Sequence, residues 1–211
     1  MSLDPEKFQG EVMKWAAQSF PKAQKHQPLL LLVEAAGDLN EVMSEVQDVE
    51  AFKKAWPEIA DAVGDAMISL AFFCGMNGFE LTSCSRDQED CYNEMLHPRI
   101  AFAQELHTIV GRLAGAFLRD EQGIRLSEPH RVLMAMLVGQ SVQLLSRLCG
   151  KDGRGLLEVT ETAWAFTQAK NWSKYPKTGF PPAPAQVQGK LFKKGDSSSI
   201  PKDRWSQEVP F

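Results

Sequence analysis

The 211-residue chain has no dense run of lysine or arginine, and its formal net charge is −4. A nucleic-acid surface needs clustered cations facing the phosphates, so that class of partner is set aside. Cysteine is scarce as well. Cys74, Cys84, Cys91 and Cys149 include no CxxC pair, and Cys74 and Cys149 lie inside apolar stretches. That spacing argues against zinc and for reduced, mostly buried thiols, as expected of a cytoplasmic protein. The opening MSLDPEKFQGEV is too polar for a secretory signal, and the longest apolar run is broken well short of a bilayer-spanning length. No membrane partner is expected. What the chain does have is 44% hydrophobic residues, enough for a substantial core.

The apolar spacing predicts an all-α fold. Asp4 and Pro5 suit the cap and first turn of a helix over Glu6 to Phe20, with Phe8, Val12, Trp15 and Phe20 on one side. A connection from Pro21 to Pro28 leads to a second helix with a core stripe of Leu32, Ala36, Leu39, Met43 and Val46. Gly37 in its middle costs roughly 1 kcal/mol relative to alanine, which a close helix contact or a bound group would explain. Trp56-Pro57 precedes the next helix, with Pro57 in its first turn. From Ala66 to Met76 that helix is apolar on every side, which marks it as the buried central one, and Gly75 and Gly78 end it. A further helix is expected from Thr82 to about Leu96, before the break at His97-Pro98.

After Pro98 the pattern returns. ELHTIVGRLAGAFL resembles LLVEAAGDLNEVM, and MAMLVGQSVQLLSRLCGKDGRGL lies over IADAVGDAMISLAFFCGMNGFEL. The second match pairs Gly139 with Gly64, Cys149 with Cys74, Gly153 with Gly78 and Leu156 with Leu81, and a short helix from Leu156 to Lys170 follows. These coincidences at one offset suggest a duplicated helical unit of roughly 75 residues. The expected organisation is residues 1–97, a second copy at 98–172, and an extended tail at 173–211. The tail is rich in Pro, Gly, Lys and Ser. Phe192, Trp205 and Phe211 are apolar anchors that would dock it on its own body or on a partner subunit.

Two acidic stripes carry the chemistry. Glu34, Asp38 and Glu41 recur at four and three residues, and Glu58, Asp61 and Asp65 at three and four, so each trio shares a helix face. The first stripe runs on through Glu45 and Asp48, as a solvated face also would. The second leads into Ile68 and Phe72, so its acids stand at the mouth of a buried surface. Like charges there repel, and a divalent cation would relieve them. In the second copy Glu34 becomes Thr108, Asp38 becomes Arg112, Glu58 becomes Leu133, Asp61 becomes Met136 and Asp65 becomes Gln140. That copy keeps the packing pattern and none of the candidate site acids.

The run GDLNEVMSE, followed by EIADAVGDAMISLAFFCGMNGFEL, resembles the MazG-like branch of the all-α nucleoside triphosphate pyrophosphohydrolases, and Asp61 to Asp65 (DAVGD) matches its phage-type form. FQGEVMKWAAQSF and WAFTQAKNWSKYP are similar to other parts of that group. The resemblance implies a duplicated helical bundle, a pseudo-dimer with one acidic and one blank half, and further homo-oligomer assembly. It implies magnesium, or manganese, held by Asp38, Asp61 and Asp65 with Glu34 or Glu58 as further ligand or base. The implied reaction is hydrolysis of a nucleoside triphosphate to the monophosphate and pyrophosphate. Asn77 and Asn93 are candidates for the base, with helix capping as the alternative for each. Lys170 and Trp172 are candidates for the phosphates or sugar, with a surface helix end as the alternative. The chain departs from the EExxE pattern at Ala35, and Asp90 is a possible substitute ligand. A non-catalytic nucleotide-binding or scaffold protein is the alternative function, and a plain helical interaction protein a third.

Overall fold

The computed structural model describes residues 4–82, 99–124, 129–150, 153–176 and 179–180. The helix expected to Leu96, with Asp90 and Asn93, and most of the expected tail lie outside them. Among the described residues there are six helices and no strands: α1 (Pro5–Ser19), α2 (Gln27–Ser44), α3 (Val49–Asn77), α4 (Arg99–Glu121), α5 (His130–Gly150) and α6 (Leu156–Thr167). The fold class is all-α. The described residues all fall within one compact unit.

Helix α1 starts as its sequence suggests, with the Asp4 carboxylate accepting from the Glu6 N–H at 3.1 Å. Helix α3 does not. It begins at Val49, where the Asp48 carboxylate caps it by accepting from Ala51 N–H at 2.8 Å. Pro57 therefore lies inside the helix and leaves the Lys53 carbonyl without its usual donor, a loss of about 3 kcal/mol. Phe52 and Trp56, only 1% and 4% exposed, hold the added turns. Burying each of these rings contributes about 2 kcal/mol or more, enough to offset the proline. This corrects the expected start of the helix and removes Asp48 from the acidic stripe of α2, which ends at Ser44.

Every residue from Ala66 to Cys74 is buried, so α3 is the central helix, as its apolar run predicts. It pairs with α2, α4 pairs with α5, and the two pairs join where α2 packs on α4. Helices α1 and α6 both lie on α3. The α6 contact is unusually close, because a Cβ at Gly64 would overlap the Cβ of Ala163. Gly75 makes room in the same way for the Met13 side chain of α1. Trp164 locks α1 to α6, meeting the Phe8 and Trp15 rings edge-on at 5.8 and 5.9 Å. Its indole N–H donates to Glu11 at 3.3 Å.

Helices α3 and α5 close alike. Gly78 and Gly153 take φ of 68° and 72°. The next residue donates back to a buried cysteine carbonyl, Phe79 to Cys74 at 2.9 Å and Arg154 to Cys149 at 3.2 Å. Both helices also contain a stretch apolar enough to cross a bilayer, but 72% and 50% of those windows are buried by protein, as in core helices.

Gly37 has no close helix contact, since a Cβ there would meet nothing within 4 Å. Thermal unfolding should therefore separate the two glycines. Gly37→Ala is expected to stabilise by about 0.5 to 1 kcal/mol, while Gly64→Ala is expected to destabilise by about 2 kcal/mol through overpacking against Ala163.

Candidate functional site

Asp61 and Asp65 stand one turn apart on the exposed face of α3, beside the line where α6 crosses. Glu34 is exposed and Asp38 half-buried on the neighbouring α2. The convergence shows in Asp65, whose pKa is pushed up to about 6 from the ordinary 3.8. Burial is the largest cause, followed by the repulsion of Asp61, then of Asp38 and Glu34, while Lys170 pulls the other way. By accessible area Asp65 is nevertheless exposed. Both hold for a carboxylate at the foot of helix walls, wetted on one side and crowded on the others.

Lys170 is held firmly behind its charge. Its carbonyl accepts from the Trp15 indole N–H at 2.9 Å and from the Ser19 hydroxyl at 3.5 Å, tying the end of α6 to α1. Its ammonium lies 4.5 Å from the Phe166 ring centre and 5.8 Å from that of Trp172. The following loop closes on itself, with Asn171 N–H donating to Gly179 carbonyl at 2.7 Å and Gly179 N–H to Tyr175 carbonyl at 2.8 Å. Gly179, at φ +71°, leaves room for the Lys170 stem, which a Cβ would approach to 2.9 Å.

The site residues named from sequence therefore divide. Glu34, Asp38, Asp61, Asp65 and Lys170 come within each other's electrostatic reach at Asp65, and Trp172 adjoins Lys170. Glu58 is exposed and absent from the charges that act on Asp65. Asn77 lies twelve residues beyond Asp65, roughly 18 Å along the helix. Its amide donates to the Phe73 carbonyl at 2.9 Å and the Lys25 carbonyl at 3.4 Å, so it holds a helix end and a connection. Ala35, where the chain departs from the EExxE pattern, is 3% exposed and faces the core, as does Ala62 on α3 at 6%.

A cleft of about 470 Å³ opens between the first half of α3 and α6, and Asp61 forms part of its wall. Lys53, Trp56, Arg154 and Phe166 line it too, none of them singled out from sequence. Lys53, Trp56, Pro57, Ala60 and Asp61 follow the helical three-four spacing, a signal visible once the helix is known to begin before Pro57.

The donors around Asp65 are all carboxylate oxygens, and their charge suits a hard divalent cation. Among the described residues, no three His, Cys, Asp or Glu side chains are grouped closely enough to hold one ion. The site is thus an acidic cluster from two helices, faced by one anchored lysine and continuous with a cleft. Comparison with protein-family models, with curated proteins and with solved structures finds no match.

The raised pKa makes stability depend on pH with a definite sign. Asp65 binds its proton more tightly folded than unfolded, so its contribution is fully present below about pH 3.8 and lost as pH rises through about 6. Asp65→Asn should stabilise the fold by about 1 kcal/mol near neutrality, a figure discounted for the water that reaches the group. In melting curves, the gain should shrink as pH falls towards 4. An equal gain at every pH would contradict the electrostatic origin.

Proposed function

We propose that the protein is a magnesium-dependent nucleotide pyrophosphohydrolase of the MazG-like all-α type, hydrolysing a (deoxy)nucleoside triphosphate to the monophosphate and pyrophosphate. The observation that carries this reading is Asp65, repelled by Asp61, Asp38 and Glu34 and drawn by Lys170. Such repulsion is costly in a protein with no use for it and is relieved by a bound cation. Asp38, Asp61 and Asp65 are assigned to the metal, with Glu34 as further ligand or base. Glu58 keeps its role only from the resemblance. Bound magnesium supplies charge neutralisation of the phosphates and a water of lowered pKa.

The chain's own groups do the rest. Lys170 donates from its ammonium to a phosphate oxygen, and the carbonyl clamp from Trp15 holds its backbone in place. Glu34 accepts the proton of the attacking water as the new bond to the α-phosphorus forms and the bond to the pyrophosphate oxygen breaks. The matched closures at Gly78 and Gly153 support a duplicated unit, 1–97 and 98–172, with its acids retained in the first copy alone. Exposed Leu30, Leu31 and Val33 beside Glu34 support a homo-oligomer, and the burial of Cys74 and Cys149 in the core fits a cytoplasmic setting. Buried Ala35 favours a second reading, a nucleotide-binding or scaffold protein of the same fold with impaired catalysis.

A panel of nucleoside triphosphates, with magnesium or manganese, tests the choice. Pyrophosphate release from at least one substrate is expected, falling by about a hundredfold or more in Asp61→Ala and Asp65→Ala. No release from any substrate at high protein concentration would sink the enzyme reading in favour of the second.

A further inference from the structure

We propose that the cleft between α3 and α6 is the seat of the nucleobase and sugar, while the phosphates lie towards Asp65 and Lys170. The inference rests on the proposed function for the ligand being a nucleotide, and not on whether that nucleotide is hydrolysed. The volume of about 470 Å³ lies within the range of small-molecule sites. Its lining is mostly carbon, with Pro57, Ala60, Val159 and Ala163 between two aromatic residues. At one end is Trp56, with the Arg154 guanidinium 5.1 Å from its ring centre. At the other is Phe166, still 58% exposed, with the Lys170 ammonium against its ring.

Carbon walls offer phosphates nothing and suit a flat base, for which contact with an aromatic ring is favourable and tolerant of base identity. The orientation follows from charge. Asp61 belongs both to the cleft wall and to the set of carboxylates acting on Asp65, and Lys170 touches Phe166 and acts on Asp65 as well. A ligand with its base in the cleft therefore has its anionic end carried past Phe166 to the lysine and the metal-binding acids. Polar side chains also line the cleft: Lys53, Asp61, Arg154, Glu158 and Thr162. Arg154 donates and Glu158 accepts. A base presenting both acceptors and donors uses this rim best.

Calorimetric titration with each of the four deoxynucleoside triphosphates, and separately with inorganic tripolyphosphate, tests this in the presence of calcium to suppress turnover. Phe166→Ala removes the ring and Thr162→Trp fills the cleft from an exposed position on α6. Both variants should weaken nucleotide binding by about tenfold or more; Thr162→Trp should leave tripolyphosphate unchanged, and Phe166→Ala, which also removes the ring against the Lys170 ammonium, should weaken tripolyphosphate far less than the nucleotide, with melting temperatures confirming the fold. If Thr162→Trp does not fold, Phe166→Ala decides alone. Unchanged nucleotide binding would overturn the inference. So would equal loss of tripolyphosphate, or a wild-type protein that binds no nucleotide more tightly than tripolyphosphate. Cleft-dependent binding without pyrophosphate release would keep this inference and remove the proposed hydrolysis.

Discussion

The structure turns on the crossing of α6 over α3 at Gly64. Without a side chain there, Ala163 settles onto the α3 backbone, and the two helices run close enough to share one wall. The consequences follow from geometry. Upstream of the crossing, the helices leave the cleft that holds Trp56 and Arg154. Downstream, the end of α6 delivers Lys170 to Asp65, and α1 fixes it there through Trp15. A larger residue at 64 would displace wall, cleft and lysine together.

A second constraint is electrostatic. The unit keeps carboxylates from α2 and α3 within reach of each other and supplies one lysine to oppose them at Asp65. A fold selected for stability alone would disperse those charges. The cost at Asp65 is about 1 kcal/mol after allowance for solvent, small against the burial of α3 but a real fraction of a marginal total. Ala35 and Ala62 sharpen the point. Both are buried in the core, so a further carboxylate at either position would have to bury its charge.

Most of the helical framework was legible because it rests on period. The stripe of Leu32, Ala36, Leu39 and Met43 is buried as its spacing implies, and so is the apolar run of α3. The start of α3 was not legible, because Pro57 has the local look of a first turn while the capping Asp48 looks like one more acid in a stripe. Tertiary burial of Phe52 and Trp56 decides that contest, and no local pattern reports it. The acidic face of Asp61 and Asp65 was readable from one helix. Its partners Glu34 and Asp38 were readable only as an ambiguous stripe, since the packing of α2 on α3 is what distinguishes a site from a wet surface. Lys170 was named from resemblance, and Phe166 and Arg154 not at all, because their roles depend on where α6 comes to rest.

The claim on which everything else depends is that these separated carboxylates and Lys170 act on one another at Asp65. The most direct measurement is the pKa of Asp65, followed by the chemical shift of its carboxyl carbon during a pH titration, in wild type and in Asp38→Asn and Lys170→Met. The account predicts a value near 6 in the wild type, lower in Asp38→Asn and higher in Lys170→Met. An ordinary aspartate value indifferent to both substitutions would contradict it.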